Sequence, residues 1–471
     1  MKSDHQVYLG LRTFKYFFLC VLVACVRPVM AANENWQPLF TNNDLSDFTQ
    51  LGGEATYHID GDTIVGTSVA NSPNSFLTTN SIYSDFILEY DIWIDNRINS
   101  GVQIRSQSIP SYQNGRVHGY QVEADPSVRA YTGGIYDEGR RKWLYPLSVN
   151  PAASEAFRNG SWNSIRVEAI GNHIRTWVNG VMASRLVDAM DAKGFIALQV
   201  HSIKDPSLAG ALVKWRGLRI MTRDLEANRW AASPNVPEIS MLVNQLTEKE
   251  KRLGYKLLFD GKTNKGWKSA KLSEFPKTGW LIKDGLLTIQ ATNGEESAGP
   301  GDIITEQKYS NFEFELEFKI TEGANSGIKY FVDPELNKGP GSAIGLEFQI
   351  LDDNNHPDAK KGVLGNRTVG SAYDLIAAKN LIHPGQAKRK LFNGVGQWNK
   401  ARILVNDGKV EHWLNNIKVV EFDRHSQIFQ ALVNYSKYKD WPSFGQLPEG
   451  NILLQDHGNT VHFRSIKIRE F

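Results

Sequence analysis

Polar side chains that could carry acid–base chemistry recur at every second position in three short segments of the C-terminal half. Apolar residues fill the intervening positions, which is typical of strands with one face in a core and the other in a groove. The polar positions of this phase are Lys329, Glu347, Gln349, Gln455 and His457. A histidine titrates near neutral pH, and a carboxylate can orient it, act as a base or share a metal. We therefore predict that His457 and Glu347 carry proton transfer.

The N-terminal half shows the same pattern on three segments. Its polar positions are Gln103, Arg105, Gln121, Glu123, Gln199 and His201. Sugar hydroxyls need donors and acceptors at fixed places, so such groups recurring on one face indicate a carbohydrate-binding groove. The alternative is the solvated outer face of a sheet. Comparison of the halves aligns Arg105 with Phe331 and Glu123 with Leu351, so the two grooves are expected to differ in specificity.

Loop segments add further candidates, namely Tyr373 and Asp374 in the second half and Tyr136, Arg140 and Trp143 in the first. The tyrosine positions match between the halves and are predicted to close the grooves, although an Asp in a Gly-rich turn often serves only the turn. Arg140 and Trp143 would add donors and a stacking surface, or belong to a solvated loop.

Two further features leave alternatives open. The segment "DDNNHPD" clusters Asp352, Asp353, His356 and Asp358, a composition that could hold a divalent cation or form a tight turn. No certain cofactor is predicted. His412 lies in "VEHWLNN", where the alternation does not decide which face of the strand its side chain takes. It belongs either to the site or to the core.

These residues lie on elements that occur twice. "NSGVQIRS" is followed by "GYQVEAD" and "LQVHS" in the first half, and "NSGIKYFV" by "GLEFQILDD" and "LLQDHG" in the second. Nearly every segment is a 5–8-residue alternation between Gly, Asn and Asp turns, roughly the length of an ordinary strand, without long amphipathic helical patterns. The sequence therefore predicts two tandem antiparallel β-sandwiches.

Domain boundaries follow from the repeat. The first sandwich is predicted over 33–225 and the second over 255–471, with a linker of short helices over 226–254. Thr247 and Glu250 have the spacing of a helix capping box in that linker.

The N-terminus has the pattern of an export signal. An apolar run over 16–24 follows basic residues and precedes a small-residue cleavage site, so a signal peptide is predicted over 1–31. Alternatively, residues 1–24 form a lipoprotein signal that leaves a lipid anchor at Cys25. We expect an exported protein, periplasmic or associated with the outer membrane of a Gram-negative bacterium.

Composition excludes several classes of function. The net charge is only +2, so no broad basic field indicates nucleic acid as a partner, and no later segment is long and apolar enough to predict a transmembrane span. Phosphate loops, zinc-type Cys/His spacing and nucleophile elbows are also absent from the sequence.

Both halves resemble the 3-keto-disaccharide hydrolase domain family, whose members have a concanavalin-A-like lectin/glucanase jelly roll. The second half resembles it through "GYKLLFDGKTNKGW", "EFQILDDNNHPDA", "AYDLIA", "SKY" and "LLQDHG", and the first through "SGVQIRS", "GYQVEADP" and "TGGIYDEGRRKWL". The resemblance implies two such jelly rolls and an exported hydrolase or lyase acting on sugars oxidised to a ketone at C3.

On this interpretation the second half is catalytic and the first binds the carbohydrate substrate. The catalytic assignment covers His457, Glu347, Lys329, Gln349, Gln455, Tyr373 and Asp374. The substrate-binding assignment covers Gln103, Arg105, Gln121, Glu123, Tyr136, Arg140, Trp143, Gln199 and His201. A non-catalytic, lectin-like glycan-binding protein and a conventional glucanase-like glycosidase are the alternatives, because a fold does not determine a function.

Overall fold

The computed structural model describes residues 35–40, 44–292, 301–337, 339, 341–383, 385 and 390–471. The signal peptide predicted over 1–31, with Cys25, lies outside these residues. The described part is almost entirely β-structure. Its α-helices are α1 (Glu248–Arg252) and α2 (Gln427–Asn434), and its 3₁₀ turns are Leu147–Val149, Pro151–Glu155, Pro206–Leu208, Glu226–Asn228 and Pro357–Lys360.

The first half folds into two packed sheets. Its strands are β1 (Trp36–Pro38), β2 (Phe48–Gly52), β3 (Thr56–Asp60), β4 (Thr63–Thr67), β5 (Ser75–Thr79), β6 (Phe86–Ile94), β7 (Ser100–Gln107), β8 (His118–Ala124), β9 (Ile135–Glu138), β10 (Lys142–Tyr145), β11 (Asn163–Ile170), β12 (His173–Val178), β13 (Val181–Val187), β14 (Phe195–Val200), β15 (Leu212–Met221) and β16 (Ile239–Ser240). The first front sheet has the order β10-β9-β8-β7-β14-β5-β2. The first back sheet has the order β16-β13-β12-β11-β6-β15-β4-β3, with β1 on β15.

The second half repeats this arrangement. Its strands are β17 (Lys256–Leu257), β18 (Trp267–Ser269), β19 (Trp280–Lys283), β20 (Leu286–Ile289), β21 (Ile303–Tyr309), β22 (Phe312–Ile320), β23 (Asn325–Asp333), β24 (Ile344–Leu351), β25 (Asn399–Asn406), β26 (Lys409–Leu414), β27 (Ile417–Asp423), β28 (Gly450–Leu454) and β29 (Val461–Glu470). The second front sheet has the order β18-β21-β28-β23-β24. The second back sheet has the order β19-β20-β29-β22-β25-β26-β27, with β17 on β29. The predicted architecture of two tandem all-β jelly rolls is confirmed.

Strand β22 shows why the sequence folds this way. In "FEFELEFKI", Phe312, Phe314 and Phe318 point into the sandwich core and are fully buried, which stabilises the fold by about 2 kcal/mol for each side chain. The alternate carboxylates lie on the opposite face of the sheet. There Glu313 forms ion pairs with Arg402 and Arg469 on the flanking strands. Period-two alternation thus separates core from surface on one strand.

A bulge occurs at the same place in both front sheets. Arg105 on β7 and Phe331 on β23 have left-handed backbone angles, with φ of 47° and 52°, and the strand register shifts there. The bulge turns Arg105 away from the groove, and its guanidinium donates to Asp85 Oδ1 at 2.8 Å and to the carbonyls of Ala169 and Gly171 at 3.0 and 2.7 Å. The prediction that Arg105 lines the groove is therefore wrong, because simple alternation stops at the bulge.

The segment between the sandwiches packs against both of them. Its strand β16 pairs in parallel with β13, and helix α1 begins with the predicted capping box, in which Thr247 N donates to Glu250 Oε2 at 2.7 Å. Asn244 Oδ1 accepts from Ser465 N of β29 at 2.7 Å. These contacts make the segment a packed spacer. Among the described residues, no helix has the length and hydrophobicity needed to cross a bilayer.

Candidate active site

Glu347 lies on β24, the edge strand of the second front sheet next to β23. Its carboxyl group is buried and lies across Gly327 of the neighbouring strand, where a Cβ would be 2.9 Å from Cδ and closer still to Oε1. Lys329 Nζ is 3.9 Å from Glu347 Oε2. Burial raises the pKa of Glu347 above its ordinary value, and the positive charges of Lys329, Lys437 and His457 oppose that rise. The carboxyl group is thus set up to exchange a proton.

Lys329 connects Glu347 to a second buried carboxyl group. Its ammonium donates to Ser342 Oγ at 2.5 Å and to the carbonyl of Ala343 at 3.1 Å. Ser342 Oγ donates to Asp302 Oδ2 at 2.5 Å. Burial raises the pKa of Asp302, and the ammonium of Lys329 opposes the rise. The buried ammonium of Lys329 therefore lies near two buried carboxyl groups, those of Glu347 and Asp302. Its hydrogen bond to Ser342 holds it in this position.

Tyr373 lies beside Glu347 on the loop that follows β24. Its backbone N donates to the carbonyl of Glu347 at 3.0 Å, and its hydroxyl donates to Asp358 Oδ2 at 2.7 Å. Lys437 Nζ is 4.3 Å from the centre of the Tyr373 ring. Burial lowers the pKa of Lys437, whereas the Glu347 carboxylate raises it. Asp374 accepts from Arg367 Nε at 2.7 Å and from the backbone N of Lys437 at 2.9 Å, so it holds the loop together.

Two histidines lie at the edge of this group. The ring centres of His356 and His457 are 5.9 Å apart. His356 Nδ1 accepts from the backbone N of Asp358 at 3.2 Å, which leaves Nε2 as the protonated nitrogen of the neutral ring. Burial lowers the pKa of His356, and the neighbouring His457 lowers it further. His457 is half-buried and close enough to Glu347 for its charge to favour the carboxylate.

The two predicted amides of this groove take different positions. Gln349 Nε2 donates to Asn325 Oδ1 at 2.9 Å, and within the described residues its buried Oε1 has no hydrogen-bond partner. Gln455 is buried on the segment leaving β28, where its backbone N donates to the carbonyl of Gly327 at 2.9 Å. Gln349 therefore has an unused acceptor on the same strand as Glu347.

The acidic cluster after β24 is dispersed among separate partners. Asp352 accepts from the backbone N of Gly323 at 2.8 Å, Asp353 pairs with Lys390 at 2.8 Å, and Asp358 binds Tyr373. No three His, Cys, Asp or Glu side chains in the described part of the chain form a group that could hold a metal ion. The segment is a turn whose carboxylates brace neighbouring loops.

His412 belongs to the core. It is fully buried, its Nδ1 donates to the carbonyl of Gly370 at 3.1 Å, and its Nε2 accepts from the Tyr330 hydroxyl at 2.9 Å. Burial lowers the pKa of His412 to about 4. The imidazole is therefore neutral at physiological pH and has a structural role.

The first front sheet borders an open cavity of about 330 Å³. Five of the predicted substrate-binding residues line it: Gln121, Glu123, Tyr136, Trp143 and His201. Asn99 Nδ2 and Gln121 Nε2 donate to the two oxygens of Glu123 at 3.0 and 2.8 Å, and Arg129 Nη2 is 3.7 Å from Oε1. Burial raises the pKa of Glu123 to about 7, against the opposing charge of Arg129. This carboxyl group titrates near neutral pH.

Aromatic rings form one wall of the cavity. Trp143 makes edge contacts with Tyr131 and Tyr136, with ring centres 4.9 and 5.2 Å apart. The guanidinium of Arg129 is 4.9 Å from the centre of the Trp143 ring. His383 of the second half reaches this wall, with its Nε2 3.1 Å from the Tyr131 hydroxyl. His201 Nδ1 donates to the carbonyl of Ser202 at 2.6 Å, which leaves Nε2 of the neutral ring as an acceptor.

The remaining predicted residues of the first half lie away from the cavity lining. Gln103 is buried and donates to Gln121 Oε1 at 2.6 Å, so it supports the lining from behind. Gln199 is buried on β14, and its amide has no hydrogen-bond partner among the described residues. Arg140 pairs with Asp137 and Asp191 in the turn after β9. The prediction of Arg140 as a cavity donor is wrong, because these two carboxylates already bind its guanidinium.

The sequence profile of the 3-keto-alpha-glucoside-1,2-lyase-like domain matches residues 35–221 and 254–469, one match for each sandwich. The chain belongs to this family. A 3-keto-disaccharide hydrolase from Bacteroides thetaiotaomicron is 36% identical over 236 residues, covering 46% of this chain and 78% of that protein.

Two crystal structures of glycosyl hydrolase candidates from Parabacteroides distasonis are also similar to the lyase-like domains. One is 32% identical, covers 49% of this chain and 100% of that chain, and has a TM-score of 0.42. The other is 27% identical, covers 46% and 99%, and has a TM-score of 0.33. Each matches about one lyase-like domain of this chain.

The acidic residue of the front sheet lies at a different strand position in each of the two lyase-like domains. Pairing with the Asn-Ser-Gly strand shows that Gln121 is equivalent to Glu347, and Glu123 to Gln349. The alignment of Glu123 with Leu351 is therefore wrong; Asp125 is the equivalent of Leu351. Amide and acid have exchanged places along the strand.

Sequence reasoning missed several residues of the two sites. Asp302, Ser342 and Lys437 surround Glu347 in the second lyase-like domain, and Asn99 and Arg129 contact Glu123 in the first. Lys437 had a signal, since it is the central residue of the "SKY" motif that carried the family resemblance.

Proposed function

We propose that the chain cleaves glycosides whose sugar carries a ketone at C3, and that the second lyase-like domain performs the chemistry. Family membership supports glycoside processing, and the similarity to a 3-keto-disaccharide hydrolase supports the ketone. The observation that carries the proposal is the buried Glu347 with a raised pKa, surrounded by Lys329, Lys437 and His457. A buried carboxyl group with a raised pKa and cations beside it can take and return a proton.

The ketone makes this chemistry accessible to a single base. A carbonyl at C3 acidifies the C2–H bond, so a base can take that proton and leave an enolate with negative charge on the C3 oxygen. Collapse of the enolate forms the C1–C2 double bond as the C1–O bond breaks, and the aglycone leaves with its oxygen and takes up a proton. Addition of water across the double bond returns hydroxyl to C1 and hydrogen to C2, so the net reaction is hydrolysis.

The residues around Glu347 have two kinds of role, which are proton transfer and charge stabilisation. Glu347 takes the C2 proton, and His457 exchanges a proton with the leaving oxygen or with solvent. Lys437 donates to the C3 oxygen as negative charge develops there, since a nearby cation favours an enolate. Lys329 keeps Glu347 in place and limits the rise of its pKa. Tyr373 and Gln349 orient the sugar.

The first lyase-like domain favours glycan binding. Its cavity of about 330 Å³ has the size of a small-ligand site, and Trp143 and Tyr136 offer apolar ring surfaces beside amide and carboxyl groups. This domain would hold a neighbouring part of the same glycan. A lectin-like role for the whole chain is the rival hypothesis.

Initial rates on matched 3-keto and unoxidised glycosides test the proposal. Wild-type protein should cleave only the ketone, and His457→Ala should lower the rate by about 100-fold to 10,000-fold, because general acid–base catalysis is lost. The matched control is His201→Ala in the first domain, which should keep most of the rate. Thermal melts exclude unfolding of either variant.

Two outcomes would contradict the assignment. Full activity in a folded His457→Ala protein would remove this residue from the mechanism. Glycan binding by the wild type without turnover of any keto-sugar would establish the lectin-like alternative, and cleavage of unoxidised glycosides would favour a conventional glycosidase.

We also propose export to the periplasm or the outer membrane, because residues 1–31 have the pattern of a signal peptide. Mass spectrometry of the exported form should find a first residue near Ala32, or a lipid-modified Cys25. An intact Met1 on protein recovered from the cell envelope would contradict both.

A further inference from the structure

A second cavity, of about 360 Å³, lies on the back of the first sandwich, where helix α1 and the segment before it cross the first back sheet. Cationic side chains from several elements line it: Arg175 of β12, Arg185 of β13, Arg229, and Lys249 and Arg252 of α1. Glu238 and Glu248 are the carboxylates of the lining. The cavity lies away from both front sheets.

The arginines at the base of the cavity face one another across the sheet. Arg175 and Arg185 are directly opposite partners in the pairing of β12 with β13. Like charges in this arrangement destabilise a sheet unless other groups compensate them. Glu168 pairs with Arg175, and Glu238 Oε2 accepts from Arg185 Nη2 at 3.0 Å.

These carboxylates are shared, so they leave positive charge in the cavity. Glu168 also pairs with Arg166 at 2.9 Å and lies 3.8 Å from Arg229 Nε. Glu248 pairs at 2.7 Å with Lys251, which lies outside the lining. Five cationic groups line a cavity with two carboxylates. One of these carboxylates, Glu248, pairs with Lys251 outside the lining, and Glu226, also outside it, pairs with Arg229 at 2.9 Å. Positive charge therefore remains in excess.

The lowered pKa values of the lining cations agree with an excess of positive charge in the cavity. Burial lowers the pKa of Arg175, the carboxylate of Glu168 opposes this change, and the charges of Arg229 and Arg185 add to it. Burial likewise lowers the pKa of Lys249, and Arg185 and Arg252 add to the effect. Among the described residues, the buried Nε atoms of Arg175 and Arg185 have no hydrogen-bond partner.

We propose that this cavity binds the anionic group of an acidic sugar, a sulfate ester or a uronic carboxylate. Guanidinium forks bind oxyanions through two parallel hydrogen bonds, and they are the groups that recognise planar and tetrahedral oxyanions best. The cavity is larger than an inorganic ion requires and falls within the range of small-ligand sites. The site is independent of the proposed ketone chemistry.

Calorimetric titration of the full chain at low ionic strength tests the site. The probes are glucose 6-sulfate, glucuronate, inorganic sulfate, inorganic phosphate and glucose. We expect an acidic sugar to bind, and the double variant Lys249→Gln/Arg252→Gln to weaken binding at least tenfold. The matched control is Lys251→Gln on the same helix, which should bind like the wild type.

A second readout locates the ligand. His173 lies at the edge of the cavity, and burial, together with Arg229, Arg175 and Arg185, lowers its pKa, while Glu238 opposes them. A bound anion should raise the pKa of His173 in an NMR titration of the wild type.

Three results would overturn the site: no anion binding at millimolar concentration, equal affinity in the double variant and the control, or an unchanged pKa of His173. Inorganic sulfate binding as tightly as the sugar acids would overturn the sugar as its ligand.

Discussion

Glu347 and Glu123 are both buried carboxyl groups with raised pKa values, but their surroundings differ in kind. Lysines and a histidine surround Glu347, whereas Glu123 accepts hydrogen bonds from two amides and has one arginine nearby. Cations held in place near a base suit a step in which charge appears and disappears. Amide donors and a stacked arginine suit a fixed ligand. The difference supports catalysis in the second domain and binding in the first.

Removing the charge of Lys437 should shift the pH dependence of turnover. The cation of Lys437 lowers the pKa of Glu347, so Lys437→Met should raise that pKa. Because the base must be deprotonated, the acidic limb of kcat/KM should move to higher pH, together with any loss of rate from the missing donor. Lys439→Met is the matched control, two residues along the same loop. An acidic limb that stays in place would show that Glu347 is not the base that titrates.

Glu123 should make the stability of the protein depend on pH. Its pKa is about 7 in the folded protein, compared with 4.5 for an ordinary exposed glutamate, so the folded state holds the proton more tightly than the unfolded chain does. The tighter binding of this proton stabilises the folded protein fully below about pH 4.5, and the stabilisation is lost as pH rises through about 7. The change in the free energy of unfolding is about 3 kcal/mol. Glu123→Gln should remove it.

Denaturant unfolding of both proteins between pH 4.5 and 8 measures the effect. The unfolding free energy of the wild type minus that of Glu123→Gln should fall as pH rises across that interval. A constant difference would show that Glu123 titrates normally.

At the scale of the strand, a glycine determines where each functional side chain lies. Gly327 leaves room for the Glu347 carboxyl group, and Gly101 does the same for Gln121, whose Cγ would be 2.5 Å from an added Cβ. Both glycines belong to the repeated Asn-Ser-Gly motif. The motif therefore positions a side chain on the next strand.

Gly327→Ala should displace Glu347 while leaving the sheet folded. We expect a loss of about 100-fold in kcat, since a displacement of about 1 Å in a reacting group has that effect. Gly101→Ala is the matched control and should weaken glycan binding rather than turnover. Unchanged kcat in Gly327→Ala, with a normal thermal melt, would show that the carboxyl group does not act from this position.

Strand phase predicted much of the site, and the exceptions have physical causes. Alternation placed Glu347, Gln349 and Lys329 on one face because β23 and β24 are regular up to Lys329. It failed at Arg105, where a left-handed residue interrupts the strand. Asp302 carries no local signal, because it reaches the site through pairing of β21 with β28, which the sequence does not specify.

At the scale of the whole molecule, the two sandwiches have separate cores. Polar contacts include Lys142 Nζ to the carbonyl of Asn393 at 3.1 Å and Ser148 Oγ to that of Asn416 at 3.0 Å. Each core contains its own complete set of buried strands. The domain boundaries at 33–225, 226–254 and 255–471 remain a proposal on this basis.

Each half should fold alone. Fragments 33–225 and 246–471 should both show a cooperative thermal melt, because each retains its own core. The first fragment should melt at a lower temperature than in the full chain, since it lacks β16, which completes its back sheet. Calorimetry of both fragments beside the full chain measures this. Absence of a cooperative transition in either fragment would contradict the boundaries.

The exchange of acid and amide between Glu347 and Glu123 has a stereochemical consequence. Two residues along a strand span about 7 Å, so the acidic group of one domain is displaced by that distance relative to the other. A sugar seated in the same orientation over both sheets would meet the acid at a different carbon in each. The two domains thus present an acidic group at two different points along equivalent strands without any rearrangement of the fold.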